Sequence, residues 1–202
     1  TDIISNIPYS IFSNQEDVDK QTLKILFAAR IHPIKNLDIA LAILSKIRSS
    51  VRLTIVGEVE DEVYWEKCKA IINDYPDNIE VHVKGSVPHQ DLMKSLGDYH
   101  LYFLPTQGEN FGHSIYEAFA AGLPIVISDQ TPWRHLEAQK VGFDIPLDNL
   151  KKFIEAIDFF ATCSEEVWKQ WSMNARRYAE DFYQSQDFIE CYKKLFEEQK
   201  RV

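Results

Sequence analysis

Basic residues and long apolar runs are both scarce in this sequence of 202 residues. The formal net charge is −9, whereas a protein that binds nucleic acid through its phosphates needs a broad basic surface. No segment approaches the run of about 20 apolar residues that a membrane-spanning helix needs. We therefore expect no nucleic-acid partner, and any anion bound here must be held by a few local cations.

Cysteines are also few. Cys68, Cys163 and Cys191 are far apart, and none shares a short spacing with another cysteine or with a pair of histidines. This spacing contains no metal-binding motif and favours a reduced, cytosolic protein in which each cysteine is a small core hydrophobe. Because 45% of the residues are apolar, the chain can bury the core of one sizeable domain.

The chain alternates short β-branched runs with stretches of helical period from Leu23 onward. Several of the runs are apolar on both faces, as in strands that are covered on both sides by helices. The pattern predicts an α/β fold, a doubly wound, Rossmann-like parallel sheet with extra C-terminal helices after Asp148. The predicted strands are 23–29, 51–57, 79–85, 100–105, 124–128 and 141–146, and a helix is predicted at 111–121.

Two cations follow the first predicted strand, Arg30 and Lys35 in ARIHPIKN. Ligands of doubly wound sheets bind beyond the carboxyl ends of the strands, so this loop is a candidate site. The planar fork of an arginine and the mobile charge of a lysine can together hold a diphosphate. The alternative is that both are solvated loop charges.

Two carboxylates, Glu109 and Glu117, lie in the stretch GENFGHSIYEAFAAG. Its glycines allow a ligand to approach the backbone, and the start of a helix presents free N–H groups to an anion. If the intervening residues were all helical, the carboxylates would stand about 12 Å apart along the axis. A nucleotide sugar, with one sugar ring at each end of its diphosphate, is long enough to meet both. Alternatively, Glu109 is an ordinary carboxylate at a helix N-terminus and Glu117 a solvated or capping one.

The chain resembles the C-terminal half of the group 1 (family 4) glycosyltransferases, which have the GT-B fold. The two glutamates follow a predicted strand that ends in Pro105 and precede AGLPIV, which is a specific combination, and the resemblance covers nearly the whole chain. The stretches that carry it are ARIHPIKN, LTIVGE, VKGSVPHQDL, YFLPTQGENFGHSIYEAFAAGLPIVISD and NARRYAEDFYQSQDFIECYKKLF.

The resemblance implies a role for each candidate residue. Glu109 would contact the donor sugar, Glu117 the nucleotide ribose, and Arg30 with Lys35 the diphosphate. The helix start would approach the phosphate and sugar, and the loop after the third strand would border the base. The residues of these last two regions are Phe111, Gly112 and His113, and Gly85, Ser86 and Val87. His113 is either a proton donor to the leaving phosphate or an exposed histidine at the start of a helix.

Some positions depart from the family's pattern. Ala29 and Asn36 stand where relatives often have glycine, and DQTPWRHLE replaces a segment in which relatives often carry a glycine pair. Trp133 in that segment would narrow the donor cleft, face a partner domain or simply pack. These departures leave the identity of the donor sugar open.

The resemblance implies a retaining hexosyltransferase that moves sugar from a nucleotide diphosphate sugar to a carbohydrate or glycolipid acceptor in cell-surface polysaccharide or glycolipid assembly. We expect no cofactor and no bound metal. Two alternatives remain open: a nucleotide-sugar epimerase or hydrolase on a GT-B fold, and a noncatalytic nucleotide-binding module.

The sequence starts without Met, which suggests a piece of a longer protein. We expect residues 1–22 to be a linker from a preceding acceptor domain, 23–184 the donor-binding domain and 185–202 a C-terminal helix. The piece alone would be inactive. The location would be cytoplasmic, at the inner face of the membrane, with membrane contact only through the missing half.

Overall fold

Six parallel strands form one sheet in the computed structural model, which describes residues 22–185. Their order is β3-β2-β1-β4-β5-β6, so the doubly wound sheet predicted from the sequence is confirmed. The order reverses between β1 and β4, which are neighbours. The strands are β1 (Leu23–Ala28), β2 (Val51–Val56), β3 (Ile79–Gly85), β4 (Leu101–Leu104), β5 (Ile125–Ser128) and β6 (Gly142–Ile145).

The central strands are apolar on both faces because helices cover both faces of the sheet. All four residues of β4 and of β5 are buried, as are five of the six in β1 and in β2. The edge strand β3 is different, since most of its residues are at least partly exposed and Val83 is 48% exposed. The core therefore lies at the central strands of the sheet, which include β1 and β4, the pair between which the strand order reverses.

Seven α-helices are described within residues 22–185: α1 (Leu37–Leu44), α2 (Glu62–Asn73), α3 (His89–Ser95), α4 (His113–Ala120), α5 (Leu136–Gln139), α6 (Leu150–Thr162) and α7 (Glu165–Gln184). Side-chain caps begin several of them: Asp61 accepts a hydrogen bond from the backbone of α2, and Ser164 from that of α7. None of the described helices is both long and apolar enough to cross a membrane.

Helix α4 is shorter than the predicted helix at 111–121. It begins at His113 because Gly112 adopts a left-handed conformation, with φ of 78°, that cannot continue the helix. Glu109 therefore lies in the loop before the helix and not on it. The spacing of 12 Å along a continuous helix does not apply.

Trp133 packs in an aromatic cluster and is 3% exposed. Its ring centroid lies 4.9 Å from that of Phe182 on α7 and 5.5 Å from that of Phe111. Its indole N–H donates to the Phe111 carbonyl over 2.7 Å. Packing is thus the role that Trp133 plays, and α7 braces α4 through this cluster.

Cys68 is fully buried in the core, and burial raises the pKa of its thiol to about 11. It is therefore an unreactive core residue, as predicted. Cys163 is partly buried. Cys191, the predicted linker up to residue 21 and the predicted C-terminal helix after residue 185 lie outside the described residues.

Gly57 lies where the loops after β1 and β2 come closest. A Cβ added there would lie 1.9 Å from the Ala29 carbonyl oxygen, which is backbone and cannot rotate away. We expect Gly57→Ala to lower the free energy of unfolding by about 2 kcal/mol or more, measured by urea denaturation.

Gly108→Ala is the matched control, because no atom lies within 4 Å of a Cβ at that position. We expect it to change stability by less than about 0.5 kcal/mol. Equal stability of the two variants would contradict the close approach of the loops at Gly57.

Candidate functional site

Asn36 joins the loops that follow β1 and β4. Its side chain is buried, and its amide donates to the Pro105 carbonyl over 2.8 Å while accepting from the Gln107 amide over 2.8 Å. The Gln107 backbone N–H also donates to the Ile34 carbonyl. Asn36 has a φ of 53°, a conformation that glycine and asparagine adopt most readily, which accounts for asparagine at a position where relatives often have glycine.

Lys35 and Glu109 contact each other directly, next to the point where Asn36 joins the loops after β1 and β4. The Lys35 Nζ lies 2.6 Å from Glu109 Oε1, and the side chains are only 12% and 16% exposed. The Glu109 backbone N–H donates to the Gln130 carbonyl, which fixes the loop beyond β5 as well. The structure therefore brings together the predicted phosphate-binding cation and the predicted sugar-binding carboxylate.

Arg30 has a different partner. Its guanidinium lies 2.5 Å from Glu60 Oε1 in the loop after β2, and its side chain is 60% exposed. The two predicted cations thus hold different carboxylates, Glu60 and Glu109. Glu60 was missed in the sequence, where its only signal was the acidic run GEVED beyond the second strand.

Glu117 lies on the buried face of α4, where its side chain is 12% exposed. Its Oε1 is 2.7 Å from Nε2 of His89, the first residue of α3. Glu117 is therefore neither a solvated nor a capping carboxylate. His89 was not predicted, and its only signal was its place directly after the loop with Gly85 and Val87.

The start of α4 presents backbone N–H groups next to these carboxylates. The first N–H groups of a helix have no partner within it, so they can bind an anion. His113 is exposed at the first position, with its ring 4.9 Å from that of Phe111. A Cβ at Gly112 would lie 2.9 Å from the side chain of Ile115, so the turn before the helix is tightly packed.

Tyr102 on β4 lies beneath the site. Its buried hydroxyl donates to the Ala28 carbonyl over 3.1 Å and lies 2.8 Å from the Ser114 hydroxyl, which ties β1, β4 and α4 together. Burial raises the pKa of Tyr102, and the charges of Glu109 and Glu117 raise it further. Both carboxylates are therefore close enough to Tyr102 to influence its hydroxyl electrostatically, and no pattern in the sequence indicated this proximity.

The loop after β3 reaches the same edge of the sheet. Gly85 ends the strand with φ of 65°, and its carbonyl accepts from the Gly57 N–H over 2.9 Å. Val87 packs partly against the core, whereas Ser86 is exposed.

Within residues 22–185, no group of three His, Cys, Asp or Glu side chains is arranged to hold a metal ion.

The family profile described as glycosyl transferases group 1 matches residues 10–178. WaaG, a glycosyltransferase involved in lipopolysaccharide biosynthesis, superposes with a TM-score of 0.66 at 20% identity over 79% of this chain and 43% of that one. Anabaena HepE, in complex with UDP and glucose, gives 0.69 at 18% identity over 90% and 49%. A variant of S. aureus TarM, in complex with Fondaparinux, alpha-GlcNAc-glycerol and UDP, gives 0.70 at 19% over 91% and 37%.

These similarities show the fold, which is that of the GT-B glycosyltransferases. The chain spans less than half the length of each of the three structures. No curated protein matches the chain significantly.

The Asn36 side chain can be tested apart from its backbone conformation. Asn36→Gly keeps the left-handed backbone accessible but leaves the Pro105 carbonyl without its buried partner, so we expect the free energy of unfolding to fall by about 1–3 kcal/mol. Asn36→Ala adds the cost of that conformation, about 1 kcal/mol more. Urea denaturation measures both, and full stability of Asn36→Gly would show that the amide hydrogen bonds do not hold the loops.

Proposed function

The chain belongs to the group 1 glycosyltransferases, and from this we propose that it carries the nucleotide-sugar site of a retaining enzyme that transfers a hexose from a nucleotide diphosphate sugar to an acceptor. The observation that supports this proposal is the contact between Lys35 and Glu109, in which an ammonium group able to bind phosphate lies 2.6 Å from a carboxylate able to bind sugar hydroxyls. Both lie where the strand order reverses, the usual ligand site of such sheets.

Each part of the donor has a proposed partner in this site. Lys35 and Arg30 bind the diphosphate, Glu109 the hexose hydroxyls and Glu117 the ribose. Phosphate and sugar oxygens also accept from backbone amides at the start of α4. The left-handed conformation of Gly112, with φ of 78°, sets where that start lies, while the side of Gly112 that lacks a Cβ faces Ile115 and Trp133. The remaining proposed contacts are those of Phe111 and His113 at that helix start, and of Gly85 and Val87 with the base.

The proposed reaction is front-face substitution. The bond between the anomeric carbon and the diphosphate oxygen ionises, the acceptor hydroxyl attacks from the same face, and its proton passes to the departing phosphate oxygen. Lys35, Arg30 and the helix-start amides stabilise the charge that grows on the diphosphate, and Glu109 orients the hexose. No protein base, cofactor or bound metal is required.

The substrates follow from the relatives. UDP is present in two of the three similar structures, so UDP is the first nucleotide to test. The involvement of WaaG in lipopolysaccharide biosynthesis supports a glycolipid or polysaccharide acceptor. We propose the cytoplasmic face of a membrane as the place where this acceptor is met. We propose that a separate domain binds that acceptor. Free sugar released from donor without acceptor would instead favour a hydrolase.

Lys35→Ala tests the diphosphate site. Because a charged hydrogen bond to phosphate is lost, we expect the affinity for a nucleoside diphosphate to fall by about tenfold or more. Calorimetric titration with UDP, GDP and ADP, alongside the monophosphates, measures this loss and identifies the base.

Lys151→Ala is the control, since Lys151 is an exposed lysine on α6 that pairs with Glu155. We expect it to bind as the unmodified chain does. Unchanged affinity in Lys35→Ala would rule out the proposed role of Lys35.

Glu109→Gln tests the sugar site separately. Lys35 then no longer has a competing carboxylate, so we expect free UDP to bind as well as before or up to about threefold more tightly. UDP-glucose should lose any advantage over UDP, because the carboxylate that holds the hexose is gone. Retention of that advantage, measured by the same calorimetry, would exclude Glu109 as the hexose contact.

A further inference from the structure

We propose that His89 is a positioning residue for nucleotide binding, which holds the Glu117 carboxylate in the orientation that accepts the two ribose hydroxyls and thereby selects ribonucleotides over deoxyribonucleotides. This inference rests on the proposed function, in which Glu117 binds the ribose. Neither the family resemblance nor the sequence assigned a role to His89.

The first observation is the position of Glu117. The neighbouring buried residues of α4 are apolar, and a carboxylate on that face costs free energy unless it is hydrogen-bonded. Among the described residues, the hydrogen-bond partner of its carboxylate is His89, whose side chain is 63% exposed. An ion pair or hydrogen bond with so exposed a partner adds little to the free energy of unfolding. A contribution to stability alone therefore does not explain the contact between His89 and Glu117.

The second observation is the chemistry of the contact. A carboxylate can only accept, so the Nε2 of His89 must carry the proton and donate it to Glu117 Oε1 over 2.7 Å. This bond restricts the orientation of the Glu117 carboxylate. The other lone pairs of the Glu117 carboxylate oxygens remain available as acceptors. The adjacent 2′ and 3′ hydroxyls of a ribose can each donate a hydrogen bond to them.

The third observation is where His89 lies in the fold. It is the first residue of α3 and directly follows the loop of Gly85 and Val87, which is the proposed border of the base. Its contact with Glu117 joins this loop to α4. His89 therefore lies between the proposed base contact and the proposed ribose contact, where it can align one with the other.

The test compares each nucleoside diphosphate with its 2′-deoxy form. UDP and 2′-deoxy-UDP are titrated into the unmodified chain and into His89→Ala, and the GDP and ADP pairs are run alongside. We expect His89→Ala to bind the ribonucleotide about fivefold more weakly, since one orienting hydrogen bond is lost, and to bind the deoxynucleotide, which keeps only the 3′ hydroxyl, about twofold more weakly. The dissociation constant of the deoxynucleotide divided by that of the ribonucleotide should therefore fall by about two- to threefold.

Two further variants separate positioning from folding. His89→Gln keeps a donor N–H near the position of Nε2, so it should restore most of the ribose preference. His82→Ala is the matched control, because His82 is also an exposed histidine that contacts a glutamate, Glu80, but both residues lie within β3. This variant should leave the ratio of the two dissociation constants unchanged. Thermal melts of all variants check that each is folded.

Three results would overturn the inference. An unchanged ratio in His89→Ala would remove His89 from ribose recognition while leaving the proposed function intact. Tighter UDP binding in His89→Ala would mean that His89 competes with the ribose for Glu117. If the unmodified chain binds none of the ribonucleotides, the proposed donor site of this chain and the role of His89 are both rejected.

Discussion

The buried amide of Asn36 is the interaction on which the candidate site depends. Where the strand order reverses, the helices that follow β1 and β4 pack on opposite faces of the sheet, so the two loops diverge by default. Asn36 closes this gap because its amide donates to one end of the β4 loop and accepts from Gln107 further along it. Lys35 and Glu109 are the residues next to these hydrogen bonds, and their contact follows from the closure.

The carboxylates of Glu109 and Glu117 each contact one side-chain nitrogen, and both lie near the hydroxyl of Tyr102. Glu109 contacts a lysine, Glu117 contacts a histidine, and the uncharged hydroxyl of Tyr102 lies beneath them, its pKa raised first by burial and then by the charges of both carboxylates. Because the chain as a whole is acidic, an anionic ligand is attracted where a local cation such as Lys35 lies. Binding specificity then comes from a few short contacts and not from the overall field.

The sequence predicted all six strands within one residue at either end, because apolar runs in a parallel sheet are continuous and end at glycine, proline or polar residues. It also selected Lys35 and Glu109, which follow strands at the ligand-binding edge, and Glu117 within α4, and their roles stay predictions. Pairings across the fold were not predictable. The partners of Arg30 and Glu117, which are Glu60 and His89, lie 30 and 28 residues away along the chain, and no periodicity links them. The start of α4 was placed too early because periodicity alone does not report the left-handed backbone of Gly112.

The packing of Trp133 determines which positions around the candidate site can be substituted without disturbing the core. The indole fills the space behind Gly112 and holds the Phe111 carbonyl, so the wall of the site toward α7 is immobilised from the rear. Substitutions there disturb the core before they touch a ligand. A substitution that alters the proposed sugar site without disturbing this packing is therefore expected on the solvent-facing side, at an exposed position such as Asn110, next to Glu109. The packed rear wall thus leaves the short exposed loop before α4 as the part of the candidate site that can change at the least cost in stability.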